Sequence, residues 1–445
     1  MRTALTPRQA TRQRQDAGAR LGQGGADPAP ARFDGWRVVA AAFVLAAFGW
    51  GLGFYGPPVF LHAVREARGW SLPTVSLAIT LHFLFGAVVV ANLARLYARF
   101  GLPRVTKAGA LLLACGVCGW AVAREPWQLF LGALLSGAGW VTLSAAAVNA
   151  VVSPWFRRRR PAALAMAYNG ASIGGVVFSP LWVAAIGAVG FPAAALAIGV
   201  VMVAVIWLLA DRWFSLSPEA LGQRPDGDAI GAPGGVTGAA MLAPLPGRQL
   251  WRDRRFLTLA AAMACGLFAQ IGLLAHLFAL LAVPLGAQPA GLVMGIATGA
   301  AIAGRSLLGW LMPAGADRRL VACLSYGGQI IGSLALLAAD GSSLPLLLAG
   351  VLLFGAGIGN ATSLPPLIAQ AEFAPADVAR VVPLIVAISQ GAYAFAPAGF
   401  GLLQALAPAA AGAAPAMFAA AALIQAAAIA AMLLGRPGGG TRALA

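Results

Sequence analysis

The chain has 445 residues, of which 60% are hydrophobic and only 10% charged. A soluble domain carries about 25% charged residues, so a soluble globular fold is excluded. The net charge of +16 invites a nucleic-acid reading, but the basic residues gather in alternate loops between apolar runs, a pattern of membrane topology rather than of a nucleic-acid surface.

The first 35 residues are rich in Arg, Gln, Gly, Ala and Pro and hold no apolar core. They read as a disordered cytoplasmic tail rather than a cleavable signal. Six apolar runs follow, at residues 38–61, 74–96, 105–122, 127–152, 161–186 and 191–209. Each suits a membrane-crossing helix, which needs about 20 apolar residues. The alternation of a membrane barrel is missing, so the spans are helical. In the first run Gly49, Gly51, Gly53 and Gly56 precede Pro57 and Pro58, which loosens its outer end. A Gly-, Pro- and Asp-rich linker then leads to six more runs, at 256–282, 289–311, 320–338, 344–369, 378–406 and 413–434. The predicted domains are therefore a tail (1–35), a six-helix bundle (36–210), a cytoplasmic linker (211–255), a second bundle (256–435) and a cytoplasmic tail (436–445).

The cationic loops are Arg95, Arg99, Arg104 and Lys107, then Arg157–Arg160, then Arg248, Arg252, Arg254 and Arg255, then Arg318 and Arg319. The loops between them hold only Arg65, Arg68 and Arg124, which puts both termini in the cytoplasm. The Arg- and Ala-rich composition, with the single lysine Lys107, suits a bacterial inner membrane. Cys115 and Cys118 fall in the middle of an apolar run and read as packing residues rather than a redox or metal pair. No cofactor is expected.

The halves look duplicated. Gly174, Phe178 and Pro180 in the fifth run match Gly391, Phe395 and Pro397 in the eleventh, and Gly137 and Gly139 match Gly355 and Gly357 at nearly the same offset. Six helices, a polar linker and six helices is the layout of a duplicated transporter working by alternating access.

Arg305 carries the most functional information. Residues 290–311 hold no other charge, and a cation within a span costs roughly 2.5–3.5 kcal/mol on insertion scales, so it faces a cavity, a partner or a ligand. Its planar fork suits a carboxylate, and it also reads as a structural anchor to backbone carbonyls near the cytoplasmic mouth. The polar groups able to complete a central site are Trp50, Tyr55, Asn149, Tyr168, Asn169, Gln270, Asn360, Gln390 and Tyr393. Each of these also reads as a helix–helix hydrogen bond. No Asp or Glu lies inside a predicted span, which leaves His82 and His276 as proton-coupling candidates. Arg157, Arg158, Arg159 and Arg160 and the acids Glu372 and Asp377 occupy equivalent loops of the two halves, and they read as a latch across the cytoplasmic mouth or as solvated surface charge.

The stretch from Ser153 through Trp155, Phe156, Arg157–Arg160 and Pro161 to Tyr168, Asn169 and Gly170 resembles the loop before the fifth helix of monocarboxylate transporters. Asp34, Gly35 and Trp36 resemble a shortened form of that family's motif before the first helix. Gly304, Arg305 and Gly309 are similar to the eighth helix of that family and of the oxalate–formate exchangers, both branches of the major facilitator superfamily. The resemblance implies twelve helices in two pseudo-symmetric bundles, with Arg305 at the substrate.

Departures narrow the expectation. Ala301 stands where monocarboxylate transporters have an aspartate, residues 54–58 lack their lysine, and Ser389, Gln390 and Tyr393 replace the second lysine of the oxalate–formate branch. A single cation suits a monoanion. The loop motif Gly-x-x-x-Asp-Arg-x-Gly-Arg-Arg is degraded around Arg99 and Gly101, and Asp317, Arg318 and Arg319 keep a partial second copy. The proline-glycine signature of drug antiporters is missing from the fifth run, which keeps export of amphiphilic compounds as an alternative only. A membrane enzyme lacks a catalytic constellation here, and a non-transporting sensor would need an output domain larger than this linker. The expectation is a monomeric secondary transporter moving a small organic anion, by proton symport or by exchange.

Overall fold

A computed structural model describes residues 33–227, 248–312, 316–406 and 414–436. Most of both predicted tails and the middle of the predicted linker lie outside the described residues. Residues Met1–Asp34 form one unit, described only at Phe33 and Asp34, and Gly35–Ala445 form another.

Among the described residues of the second unit, twelve helices are long and apolar enough to cross a membrane. In chain order, spans one to six are Gly35–Arg68, Leu72–Phe100, Leu102–Val122, Pro126–Trp155, Ala162–Val189 and Phe191–Phe214. Spans seven to twelve are Arg254–Leu285, Ala287–Leu308, Arg318–Ala339, Leu344–Glu372, Arg380–Leu406 and Pro415–Leu434. Each predicted run overlaps one of them, with ends that differ in places by one to three residues. The side of the molecule that carries the linker is called the linker side below, and the opposite one the far side.

Packing repeats across the halves. Span one packs on five, two on four, three on four and three on six; seven packs on eleven, eight on ten, nine on ten and nine on twelve. The seams between halves repeat too, since five packs on eight and eleven packs on two. These pairings are the duplicated halves in three dimensions.

Small residues set the spacing. Apolar side chains gain little by leaving lipid for one another, so close backbone approach holds the helices together. A Cβ on Gly332 would lie 2.8 Å from the Gly350 carbonyl oxygen, and one on Gly350 would lie 2.9 Å from the Gly332 oxygen.

Among the described residues, three spans are broken. Span one divides into Gly35–Gly53 and Gly56–Arg68, span four into Pro126–Val141 and Ala145–Val152, and span eleven into Pro375–Tyr393 and Ala396–Leu406. Pro57 and Pro58 have no N–H, so the carbonyls of Gly53 and Phe54 lose their helical donors. Phe54 and Tyr55 both donate to the Trp50 carbonyl instead, at 3.0 and 2.9 Å. In span four the hydroxyls of Thr142 and Ser144 bond the carbonyls of Gly139 and Val141, at 2.8 and 2.9 Å, competing with the helix ladder.

The halves meet on the far side. The Ala398 N–H donates to Thr80 Oγ1 at 3.1 Å, joining spans eleven and two. The rings of His62 and Phe278 meet at 5.3 Å, joining spans one and seven. Gly291 and Gly295 of span eight lie against Ser179, Pro180 and Val176 of span five.

Candidate functional site

Arg305 lies one turn before Leu308, the linker-side end of span eight. It is half-buried, and its Nε donates to the Gly359 carbonyl of span ten at 3.3 Å. Gly359 is required there, because a Cβ would come within 2.8 Å of that nitrogen. Among the described residues no carboxylate pairs with Arg305, and its two terminal nitrogens have no hydrogen-bond partner. The group facing it electrostatically is the Tyr55 phenol.

Tyr55 lies in the break in span one, directly before Gly56, and is 6% exposed. Its hydroxyl faces Thr298, two turns before Arg305 on span eight. Gly175 of span five makes room for both, since a Cβ there would strike the Tyr55 ring and the Thr298 methyl. Tyr55, Gly175, Thr298 and Arg305 thus bring spans one, five and eight to one place. Thr298 is not among the residues expected from sequence, where a lone threonine among alanines and glycines carries no signature.

Span ten adds Asn360, beside the Arg305 contact. It is buried, its Nδ2 donates to the Ala356 carbonyl at 3.4 Å, and its Oδ1 has no partner among the described residues. Span eleven adds Gln390, buried with an unpartnered Nε2, and Tyr393, whose ring meets Phe83 of span two at 5.8 Å. In the first half Asn149 donates to the Tyr168 hydroxyl, which donates in turn to the Ala145 carbonyl at 3.1 Å. The Trp50 ring stands edge-on to Tyr168 at 6.5 Å. Asn149 and Asn169 are exposed.

Gln270 belongs elsewhere. Gln329 Nε2 donates to Gln270 Oε1 at 3.0 Å, Gln425 Nε2 donates to Gln329 Oε1 at 3.2 Å, and Ser333 donates to Gln425 Oε1 at 3.5 Å. This buried amide chain ties spans seven, nine and twelve together, which is the helix–helix role rather than a face toward Arg305.

Both candidate histidines, His82 and His276, are buried. His82 Nε2 lies 2.9 Å from the Gly53 carbonyl and Nδ1 lies 2.8 Å from Ser136 Oγ, with Trp140 stacked on the ring. His276 Nε2 lies 2.9 Å from the Pro397 carbonyl, and its Nδ1 has no partner among the described residues.

The loop charges have partners that sequence did not suggest. The backbone N–H groups of Arg157, Arg158 and Arg159 converge on the carboxylate of Asp226 in the linker, at 3.0, 2.8 and 3.0 Å. Burial pushes the Asp226 carboxyl up, but the N–H donors of Arg158, Arg159 and Arg157 and the Arg158 charge outweigh it and hold it below the ordinary range. Arg160 reaches back to the Phe156 and Ser153 carbonyls at 3.0 and 3.1 Å. Glu372 pairs within its own half with Arg319, a residue 1% exposed. Asp377 is buried, 3.9 Å from Arg380.

Two duplicated six-helix bundles with a half-buried cation where spans one, five, eight and ten converge define a membrane carrier. The chain belongs to the Major Facilitator Superfamily, whose profile matches residues 39–397. It is a transporter and not an enzyme. It is 27% identical over 347 residues to "MFS-type transporter 1" of Ophiocordyceps sp. (strain BCC 1869), covering 76% of this chain and 72% of that protein. It is 31% identical over 151 residues to "Monocarboxylate transporter 11" of Mus musculus, covering 33% of this chain and 32% of that protein. The solved structure of the nucleoside transporter NupG superposes with a TM-score of 0.68 at 13% identity, over 90% of this chain and 99% of that one.

Proposed function

We propose that this transporter moves a small organic monoanion, best a monocarboxylate, across a bacterial inner membrane by alternating access. The linker and both termini then lie in the cytoplasm. The observation that carries the reading is Arg305, a half-buried cation tethered through Nε to Gly359, with no carboxylate partner among the described residues. A cation in this setting favours a bound anion, and its free edge suits two parallel hydrogen bonds. Tyr55, Asn360, Gln390 and Tyr393 supply further donors and acceptors, and Tyr168, Asn149 and Asn169 supply those of the first half. The contacts joining the halves on the far side support a state closed there and open toward the linker. The partial likeness to a monocarboxylate transporter agrees with the substrate class.

Proton coupling falls to His82 or His276, and exchange needs neither. Uptake of a panel of labelled short carboxylates into proteoliposomes, with and without a pH gradient, tests the substrate class and separates symport from exchange. Arg305→Lys keeps the charge and removes the planar fork, so it should cut uptake by at least about tenfold, the factor for about 1.4 kcal/mol. Unchanged uptake in that variant defeats the site.

A further inference from the structure

The break in span one leaves the carbonyls of Gly51, Gly53 and Phe54 without helical donors, and side chains from other spans serve the first two. Tyr55 N donates to the Trp50 carbonyl, which frees the Gly51 carbonyl; Trp182 Nε1 of span five donates to it at 3.2 Å. Pro57 brings no N–H to the Gly53 carbonyl; His82 Nε2 of span two reaches it at 2.9 Å. Trp182 and His82 are both fully buried. A carbonyl only accepts, so Nε2 carries the hydrogen. Nδ1 of the neutral ring is then served by the Ser136 hydroxyl, whose one hydrogen takes the 2.8 Å contact to Nδ1 in preference to the Ala133 carbonyl at 3.1 Å, and whose oxygen also receives the Trp120 indole N–H at 3.2 Å. The other faces of the ring meet Trp140 at 5.7 Å and Phe83 at 5.1 Å. The groups around His82 are a carbonyl, a hydroxyl and aromatic rings, all uncharged, and both nitrogens are satisfied with the ring neutral.

We propose that His82 is a positioning residue: as a neutral Nε2–H donor it holds the Gly53 carbonyl, fixes the break in span one, and thereby sets Tyr55 beside Arg305. Tyr55 lies two residues beyond the clamped carbonyl, where a small change in the break displaces the phenol from Thr298. The assignment rests on reading Arg305 as the anion site. It leaves His276 as the other proton-coupling candidate.

The test uses the full chain in detergent and four proteins: wild type, His82→Leu, His82→Gln and Arg305→Lys. Glutamine keeps an N–H donor for the Gly53 carbonyl, whereas leucine strands that carbonyl. Hydrogen exchange of the peptide covering residues 50–56 should speed up by at least about tenfold in His82→Leu, the factor for about 1.4 kcal/mol of lost local protection, and stay near wild type in His82→Gln and Arg305→Lys. The Arg305→Lys arm keeps the two readings apart, because failure of the anion site leaves span-one exchange untouched. In proteoliposomes, uptake of labelled pyruvate by His82→Leu should show a raised KM with kcat kept, and His82→Gln should restore KM and respond normally to a pH gradient. Wild-type exchange in His82→Leu overturns the clamp. Loss of the pH-gradient response in His82→Gln makes His82 a proton carrier and overturns the neutral positioning role.

Discussion

Arg319 and Glu372 close on one another through two bonds, Nε to Oε1 at 2.7 Å and Nη2 to Oε2 at 2.8 Å. The guanidinium also serves Thr258 Oγ1 at 3.1 Å and the Arg255 carbonyl at 2.9 Å, so one buried cation fastens the linker-side ends of spans seven, nine and ten. Removing one member strands the other, at about 3–5 kcal/mol. Glu372→Gln should therefore lower the thermal midpoint in detergent sharply. The double variant Arg319→Met with Glu372→Leu should lose less than either single change; an equal or greater loss counts against a charge-pair origin.

The linker is tied down by Asp226. Its carboxyl is depressed in the fold, so the tie is complete above the unfolded value near 3.8 and is lost as pH falls through the lower folded value. Protection of residues 219–227 from hydrogen exchange should be flat from about pH 8 to pH 5 and fall only below about pH 4. Asp226→Asn should weaken that protection at neutral pH. A protection profile identical in that variant would show that the three N–H bonds do not hold the linker.

Gly359→Ala tests the Arg305 tether from the other side. The new methyl would crowd Arg305 Nε at 2.8 Å and the Ala301 carbonyl at 2.7 Å. Overpacking of this kind costs about 1–3 kcal/mol. Anion uptake should fall while the helical signal in circular dichroism holds; full uptake would separate Gly359 from the site.

The amide chain gives a contrasting outcome. Gln329→Leu leaves Gln270 Oε1 and Gln425 Nε2 without their partner. Hydrogen bonds between membrane helices are worth about 0.6–2 kcal/mol each, so the thermal midpoint should drop by a few degrees with substrate KM unchanged. A KM shift would return Gln270 to the transport site.

The spans were legible because length and hydropathy alone decide them. The run read at 191–209 corresponds to the helix Phe191–Leu209, and the run at 105–122 lies within Leu102–Val122. The break in span one was legible for a covalent reason, since proline removes donors wherever it stands. The break in span four has no such marker, as Thr142 and Ser144 act only when their hydroxyls turn back on the chain. Arg305 stood out because its surroundings are apolar. Its neighbour Thr298 did not, because a lone threonine among alanines and glycines has no special signature. Asp226 and the Arg319–Glu372 pair join residues more than fifty positions apart, and no local pattern encodes such distances.

Pro57 and Pro58 have a lasting mechanical consequence. Without an N–H at either position, the Gly53 and Phe54 oxygens cannot be taken back into the ladder, so span one cannot straighten into a rod. It is a fixed elbow with a long arm toward the linker and a short arm, Gly56–Arg68, toward the far side. In the alternating-access motion proposed above, the two arms would swing as a single bent crank, and the phenol at the crook would travel with them.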